Sequence, residues 1–179
     1  MKECLFIGPE DSGKTLLIRK IKHAINYHDN DKIIHEDTVP TIGVDIDTIT
    51  LNDNNKIMLR EVGGSMISRW SSFIETCDLL IFIIDISNMT SLSTSLVLLM
   101  EMFTILLKTK RLQNIAILLN KTDLSDISSQ KIAKNILSID DLIIEGRKNG
   151  IIIKIFEGNS TDISLALQCI NYINEIFGT

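Results

Sequence analysis

Apolar residues in this chain fall into two kinds of run. Short continuous runs, Cys4-Leu5-Phe6-Ile7, Leu79-Leu80-Ile81-Phe82-Ile83-Ile84 and Ile115-Ala116-Ile117-Leu118-Leu119, read as strands covered on both faces. Residues 151–156 read as one more. Longer stretches between them predict helices over 14–26, 91–110, 129–136, 139–148 and 161–177, with Thr90 or Ser91 as the candidate N-cap of the second. Residues 43–50 and 56–62 mix apolar with polar positions and predict a partly buried hairpin turning at Asn52-Asp53-Asn54-Asn55. Two segments fall outside this pattern. Residues 27–42 are mostly polar, with Ile33 and Ile34 the only apolar pair before Val39-Pro40, and a loop of that length is often functional. Glu61-Val62-Gly63-Gly64-Ser65 opens a second flexible stretch. The alternation of strand and helix predicts an α/β fold: a mostly parallel sheet with helices on both faces and a ligand at the carboxyl ends of the strands.

Composition narrows the class. The length of 179 residues predicts a single domain, 1–179, able to bury about two-thirds of its unfolded surface. A net charge of −5 argues against a broad basic face for nucleic acid. Cys4, Cys77 and Cys169 lack motif spacing and read as reduced core thiols of a cytoplasmic protein. His23, His28 and His35 lack metal spacing and read as solvated. The N-terminus runs straight into a strand, which predicts no signal peptide. The richest apolar stretch, Leu96 to Leu107, is broken by Glu101 and falls short of the roughly 20 residues a membrane span needs. Lys2 stands where myristoylation needs glycine, and no C-terminal prenylation box is present, so no direct lipid anchor is expected.

The stretch Gly8-Pro9-Glu10-Asp11-Ser12-Gly13-Lys14-Thr15 follows the first strand and opens the first helix. That is the context in which G-x-x-x-x-G-K-[ST] carries meaning. Gly8 and Gly13 permit a tight turn whose N–H groups form a nest for phosphate oxygens, and the helix N-terminus adds partial positive charge. Lys14 is a point charge for the β and γ phosphates, and the Thr15 hydroxyl is placed for Mg²⁺. Against the nucleotide this loop would set Gly8, Glu10, Asp11, Ser12, Gly13, Lys14, Thr15 and Leu16. The plain alternative is a glycine-rich turn with a chance lysine.

Asn120-Lys121-Thr122-Asp123 follows the fifth strand. The Asp123 carboxylate can accept from both the ring N–H and the exocyclic amine of guanine, a pair adenine does not offer. Lys121 can lay its stem along the base, and Asn120 can tie this loop to the P-loop. Alone the motif is short, and Asp123 or Asp126 could equally cap a turn. After a P-loop and the correct strand it is specific. With Thr38-Val39-Pro40-Thr41-Ile42-Gly43, these residues resemble the Ras-like small GTPases, and among them the Arf family with its T-[IV]-P-T-[IV]-G first switch. Arg60-Glu61-Val62-Gly63-Gly64-Ser65-Met66 and Trp70-Ser71-Ser72-Phe73 resemble the second switch of one Arf-like branch.

The resemblance spans nearly the whole chain. It implies a three-layer P-loop NTPase G domain with six strands, binding GTP or GDP with Mg²⁺. It assigns Lys14, Thr41 and Gly64 to the reacting phosphate, with Thr15 and Thr41 on the metal and Glu61 reaching it through water. Loss of the γ-phosphate would release both switch loops. It further implies a cytoplasmic monomer whose effectors, exchange factor and activating protein contact 30–44 and 61–75, brought to membranes or the cilium by partners.

The chain also departs from the family. Glu61 replaces the usual Asp. Ser65 replaces the glutamine that orients the attacking water, which predicts slow intrinsic hydrolysis. The loop that meets the purine after the last strand usually carries S-A-[KR]. Here Glu157-Gly158 stands at the matching place, with Asn159-Ser160-Thr161 as the alternative register. The amphipathic N-terminal helix of Arf proteins is not seen. Trp70 and Phe73 read either as an effector-facing apolar surface or as packing beneath the second switch. Two other functions fit part of the pattern: an essentially non-hydrolysing GTP-bound scaffold, and a P-loop kinase. For the kinase, N-K-T-D has no role and no arginine-rich lid is visible.

Overall fold

The computed structural model describes residues 1–26, 37–51, 55–109 and 114–178. In chain order the elements are β1 (Lys2–Ile7), α1 (Lys14–Asn26), β2 (Val44–Thr50), β3 (Lys56–Val62), α2 (Trp70–Ile74), β4 (Leu79–Asp85), α3 (Met89–Thr109), β5 (Asn114–Asn120), α4 (Ile127–Ile136), α5 (Ile139–Lys148), β6 (Ile152–Glu157) and α6 (Ile163–Phe177). One six-stranded sheet runs in the order β2-β3-β1-β4-β5-β6. Only the β2–β3 pair is antiparallel.

Alternation along the central strands divides the core in two. Leu5, Ile7, Phe82 and Ile84 face one side with Leu99 and Met102 of α3 and Leu142 of α5. Cys4, Phe6, Ile81 and Ile83 face the other with Leu17 and Ile21 of α1 and Leu165 and Ile173 of α6. β4 lies between β1 and β5 with a cluster on each face, so every position from Leu79 to Asp85 is buried, and each fully buried Leu, Ile or Phe contributes about 1.5–3 kcal/mol. By length and apolar content α3 could cross a membrane. Here Leu92, Leu99, Met102 and Leu106 bury its inner face in the first of these clusters. The three cysteines are buried free thiols.

Several boundaries differ from the sequence expectation for local reasons. The third helix starts at Met89 because Asn88 caps it, its Oδ1 accepting from Thr90 N at 2.8 Å; Thr90 and Ser91 are inside the helix. Asp126 caps α4 by accepting from Ser129 N at 2.7 Å, and Asp162 caps α6 by accepting from Ser164 N at 2.9 Å. Those bonds hold both carboxyls below their ordinary pKa. Gly43 is a turn residue with φ 100°, so β2 begins at Val44. Val44 and Ile46 are exposed while Ile49 is buried, which makes the hairpin partly buried as expected. Its turn residues 52–54, and the residues 27–36 that include His28 and His35, lie outside the described residues.

The stretch from Glu61 is more ordered than its glycines suggest. Glu61 and Val62 complete β3, and Gly64–Arg69 forms a 3-10 helix leading into α2. Trp70 is packing: it is 3% exposed and meets Phe82 edge-on at 6.0 Å. Phe73 is half-buried beneath the Arg60 guanidinium, 5.1 Å from its ring centre.

Candidate nucleotide-binding site

Three loops meet at the carboxyl ends of β1, β3 and β5. The first is the glycine loop, residues 8–13. Lys14 opens α1 yet is only 5% exposed, because its ammonium folds back into the loop. It donates to the carbonyls of Gly8 at 3.0 Å and Pro9 at 2.7 Å, and lies 3.4 Å from Ser12 Oγ. Burial draws its pKa down to about 8, against the opposing pull of the Glu61, Glu10 and Asp11 carboxylates. Gly13 has φ 95°, and a Cβ there would fall 2.3 Å from Asn120 Nδ2. The loop must therefore be glycine at that point to let the neighbouring loop approach.

The second group is Thr15, Thr41 and Glu61, from three separate elements. Glu61 Oε1 accepts from Thr15 Oγ1 at 2.6 Å and from Thr41 Oγ1 at 3.0 Å, and the two hydroxyl oxygens are 3.2 Å apart. These are hard oxygen donors of the kind Mg²⁺ takes. Among the described residues no cluster of three His, Cys, Asp or Glu offers another metal site. Backbone contacts close the arrangement. Gly63 N donates to Gly43 O at 2.9 Å. A Cβ on Gly64 would sit 2.3 Å from Glu10 N, so the stretch following β3 rests directly on the glycine loop. The resulting cavity is lined by Glu10, Asp11, Lys14, Thr15, Thr41, Glu61 and Gly64, together with Thr38 to Pro40.

The third loop follows β5. Asn120 is fully buried. Its Nδ2 donates to Ser12 O at 2.7 Å and to Ser160 Oγ at 3.1 Å, and its Oδ1 accepts from Ser160 N at 2.8 Å. One side chain thus joins the glycine loop to the loop after β6. Lys121 adopts the left-handed conformation, φ 63°. Its ammonium pairs with Asp85 at 2.7 Å, and Asp85 also accepts from Ser87 N at 2.9 Å and Ser87 Oγ at 2.6 Å. Lys121, exposed Asp123, Leu16 and Gly13 border a cleft of about 440 Å³ beside the first cavity.

The remaining border comes from the loop after β6, where two registers were open. Asn159, Ser160 and Thr161 line the cleft, whereas Glu157 does not. Glu157 ends β6 opposite Leu119 and pairs with Lys134 of α4 at 2.6 Å. Gly158 is a brace: its N donates to Leu119 O at 3.1 Å, and its O accepts from Thr122 N at 3.2 Å. Ser160 and Asp85 make contacts here that sequence reasoning did not assign. For Ser160 the signal was the alternative register. For Asp85 it was only its position at a strand end.

A glycine loop between strand and helix, a buried lysine inside it, and an N-K-x-D loop bonded to it define a P-loop domain of the small-GTPase type. The model of the ADP-ribosylation factor family matches residues 1–168, and the chain belongs to that family. Human ADP-ribosylation factor-like protein 16 is 33% identical over 150 residues, covering 82% of this chain and 73% of that protein. Two solved structures share the fold. The Arl6 BBS3 small GTPase of Trypanosoma brucei, solved with the bound nucleotide analogue GppNp, has a TM-score of 0.70 at 17% identity over 98% of both chains. A bacterial selenocysteine-specific elongation factor, EF-Sec, has a TM-score of 0.66 at 19% identity, covering 98% of this chain and 29% of that one.

Proposed function

We propose that this chain is a guanine-nucleotide switch, a single domain that holds GTP or GDP with Mg²⁺ and hydrolyses GTP slowly on its own. The observation that carries the reading is the set of Asn120 bonds to Ser12 and Ser160, which ties the cavity around Lys14 to the adjoining cleft beside Asp123. The phosphates would lie on the 8–13 backbone amides and the Lys14 ammonium. Thr15 and Thr41 would hold Mg²⁺, with the Glu61 carboxylate beside them. The metal would supply charge neutralisation at the β and γ phosphates. Asp123 would read the guanine edge, Lys121 would flank the base, and the backbone of 159–161 would close the far side.

Ser65 bears on turnover. It is exposed next to Gly64, and its hydroxyl is too short to orient a water at the γ-phosphate as glutamine does. That same observation favours a second form of the reading, a GTP-loaded scaffold that recruits effectors without turnover. Effectors and regulators would use residues 37–44 and 61–75, with residues 30–36 of the expected surface outside the described residues. The resemblance supports a cytoplasmic monomer recruited to membranes or the cilium by such partners. Two assays test the proposal. Asp123→Asn is expected to shift preference from guanine to xanthine nucleotides, and unchanged preference contradicts the guanine assignment. Single-turnover hydrolysis as fast as in glutamine-bearing relatives contradicts the slow-turnover part.

A further inference from the structure

Asp11 is one of three non-glycine residues with positive φ among the described residues, at 57°. Aspartate visits that region at a cost that glycine does not bear. Asp11 is also exposed and borders both cavities, the one around Lys14 and the one beside Asp123. It therefore stands where a ligand spanning the two would pass. The Lys14 cavity has three carboxylates on its border, Glu10, Asp11 and Glu61, against the single ammonium of Lys14. In the adjoining cleft Lys121 is the one cation on the border, and its charge is engaged by Asp85. The Glu61 carboxylate is turned to the hydroxyls of Thr15 and Thr41. Asp11 thus presents negative charge to a polyanion, on a backbone held in an unfavourable conformation.

We infer that Asp11 sets a fast, unassisted release of nucleotide from this chain. The inference rests on the nucleotide-switch reading and deepens it. The charge acts through Coulomb repulsion of the phosphates. Because the side chain is exposed, salt screens that repulsion. The strain acts only as far as the loop relaxes once nucleotide has left. The two contributions separate by substitution: Asp11→Asn keeps a residue that tolerates positive φ and removes the charge, whereas Asp11→Gly removes both.

The test loads the full chain with a fluorescent GDP analogue in magnesium buffer and follows its release on adding excess unlabelled GDP. Asp11→Asn is expected to slow release by about 3-fold at low salt, with the gap closing at high salt. Asp11→Gly, which removes the same charge, is expected to slow it at least as much as Asp11→Asn. Glu10→Gln serves as the neighbouring control and is expected to change release less than either Asp11 substitution. Release from both Asp11 variants at or above the wild-type rate overturns the inference while leaving the site intact. A slowing that salt does not alter overturns the charge argument. Failure of every form, wild type included, to take up the analogue refutes the nucleotide site itself.

Discussion

Replacing Asn120 by Ala removes a side chain that makes three hydrogen bonds at full burial. Two of its partners are backbone groups, the Ser12 carbonyl and the Ser160 amide. They belong to residues that are 0% and 3% exposed. Each orphaned buried polar group costs about 1–3 kcal/mol. Partial entry of water into the space left behind reduces the sum, so the expected loss is about 2–4 kcal/mol. That is a large share of the 5–15 kcal/mol by which domains are usually stable. Equilibrium urea unfolding measures it as a lower midpoint at constant slope. The same substitution unties the loop at 120–123 from the glycine loop, so GDP affinity is expected to fall at least ~10-fold, as read by titration with a fluorescent analogue. Asn120→Ser, which keeps one polar group, should fall between. A stability loss below about 0.5 kcal/mol together with unchanged GDP affinity would refute the view that this residue joins the two halves of the cleft.

Two further substitutions probe other parts. Ser65→Gln restores a side chain long enough to orient water and is expected to raise single-turnover GTP hydrolysis at least ~10-fold; no rise shows that the slow step lies elsewhere. Asn88→Ala deletes the cap of α3 and should cost about 1 kcal/mol in urea unfolding while leaving nucleotide affinity unchanged.

The parts of this fold that were legible in sequence are those whose signal is local. β1, β4 and β5 are covered on both faces, so their apolar runs are continuous and their ends are sharp. The glycine loop and N-K-x-D carry fixed spacings, and the structure brings both to one end of the sheet. Cap positions were less legible because the capping side chain precedes the apolar pattern. Asn88 and Asp162 act one residue before the helices they start, and neither interrupts a hydrophobic period. The purine-side loop was less legible because two registers, Glu157-Gly158 and Asn159-Ser160-Thr161, fit the spacing alike, and only the folded chain shows Glu157 paired with Lys134 and residues 159–161 lining the cleft. Pairs that depend on distance in space left no trace in the chain. Nothing in the spacing of Asp85 and Lys121 tells that they meet, nor that Gly64 lies on Glu10. Trp70 was evenly balanced between surface and core, and its edge-on contact with Phe82 is a tertiary fact.

The central claim is that a lysine-bearing backbone cradle and a distant carboxylate together select a guanine nucleotide. Competition on the unmodified chain addresses it most directly: a fluorescent GDP analogue is bound in magnesium buffer and then challenged with GDP, GTP and ATP. Displacement by GDP and GTP but not by ATP is the predicted result. Displacement by ATP at similar concentrations, or no uptake of the analogue, contradicts the account.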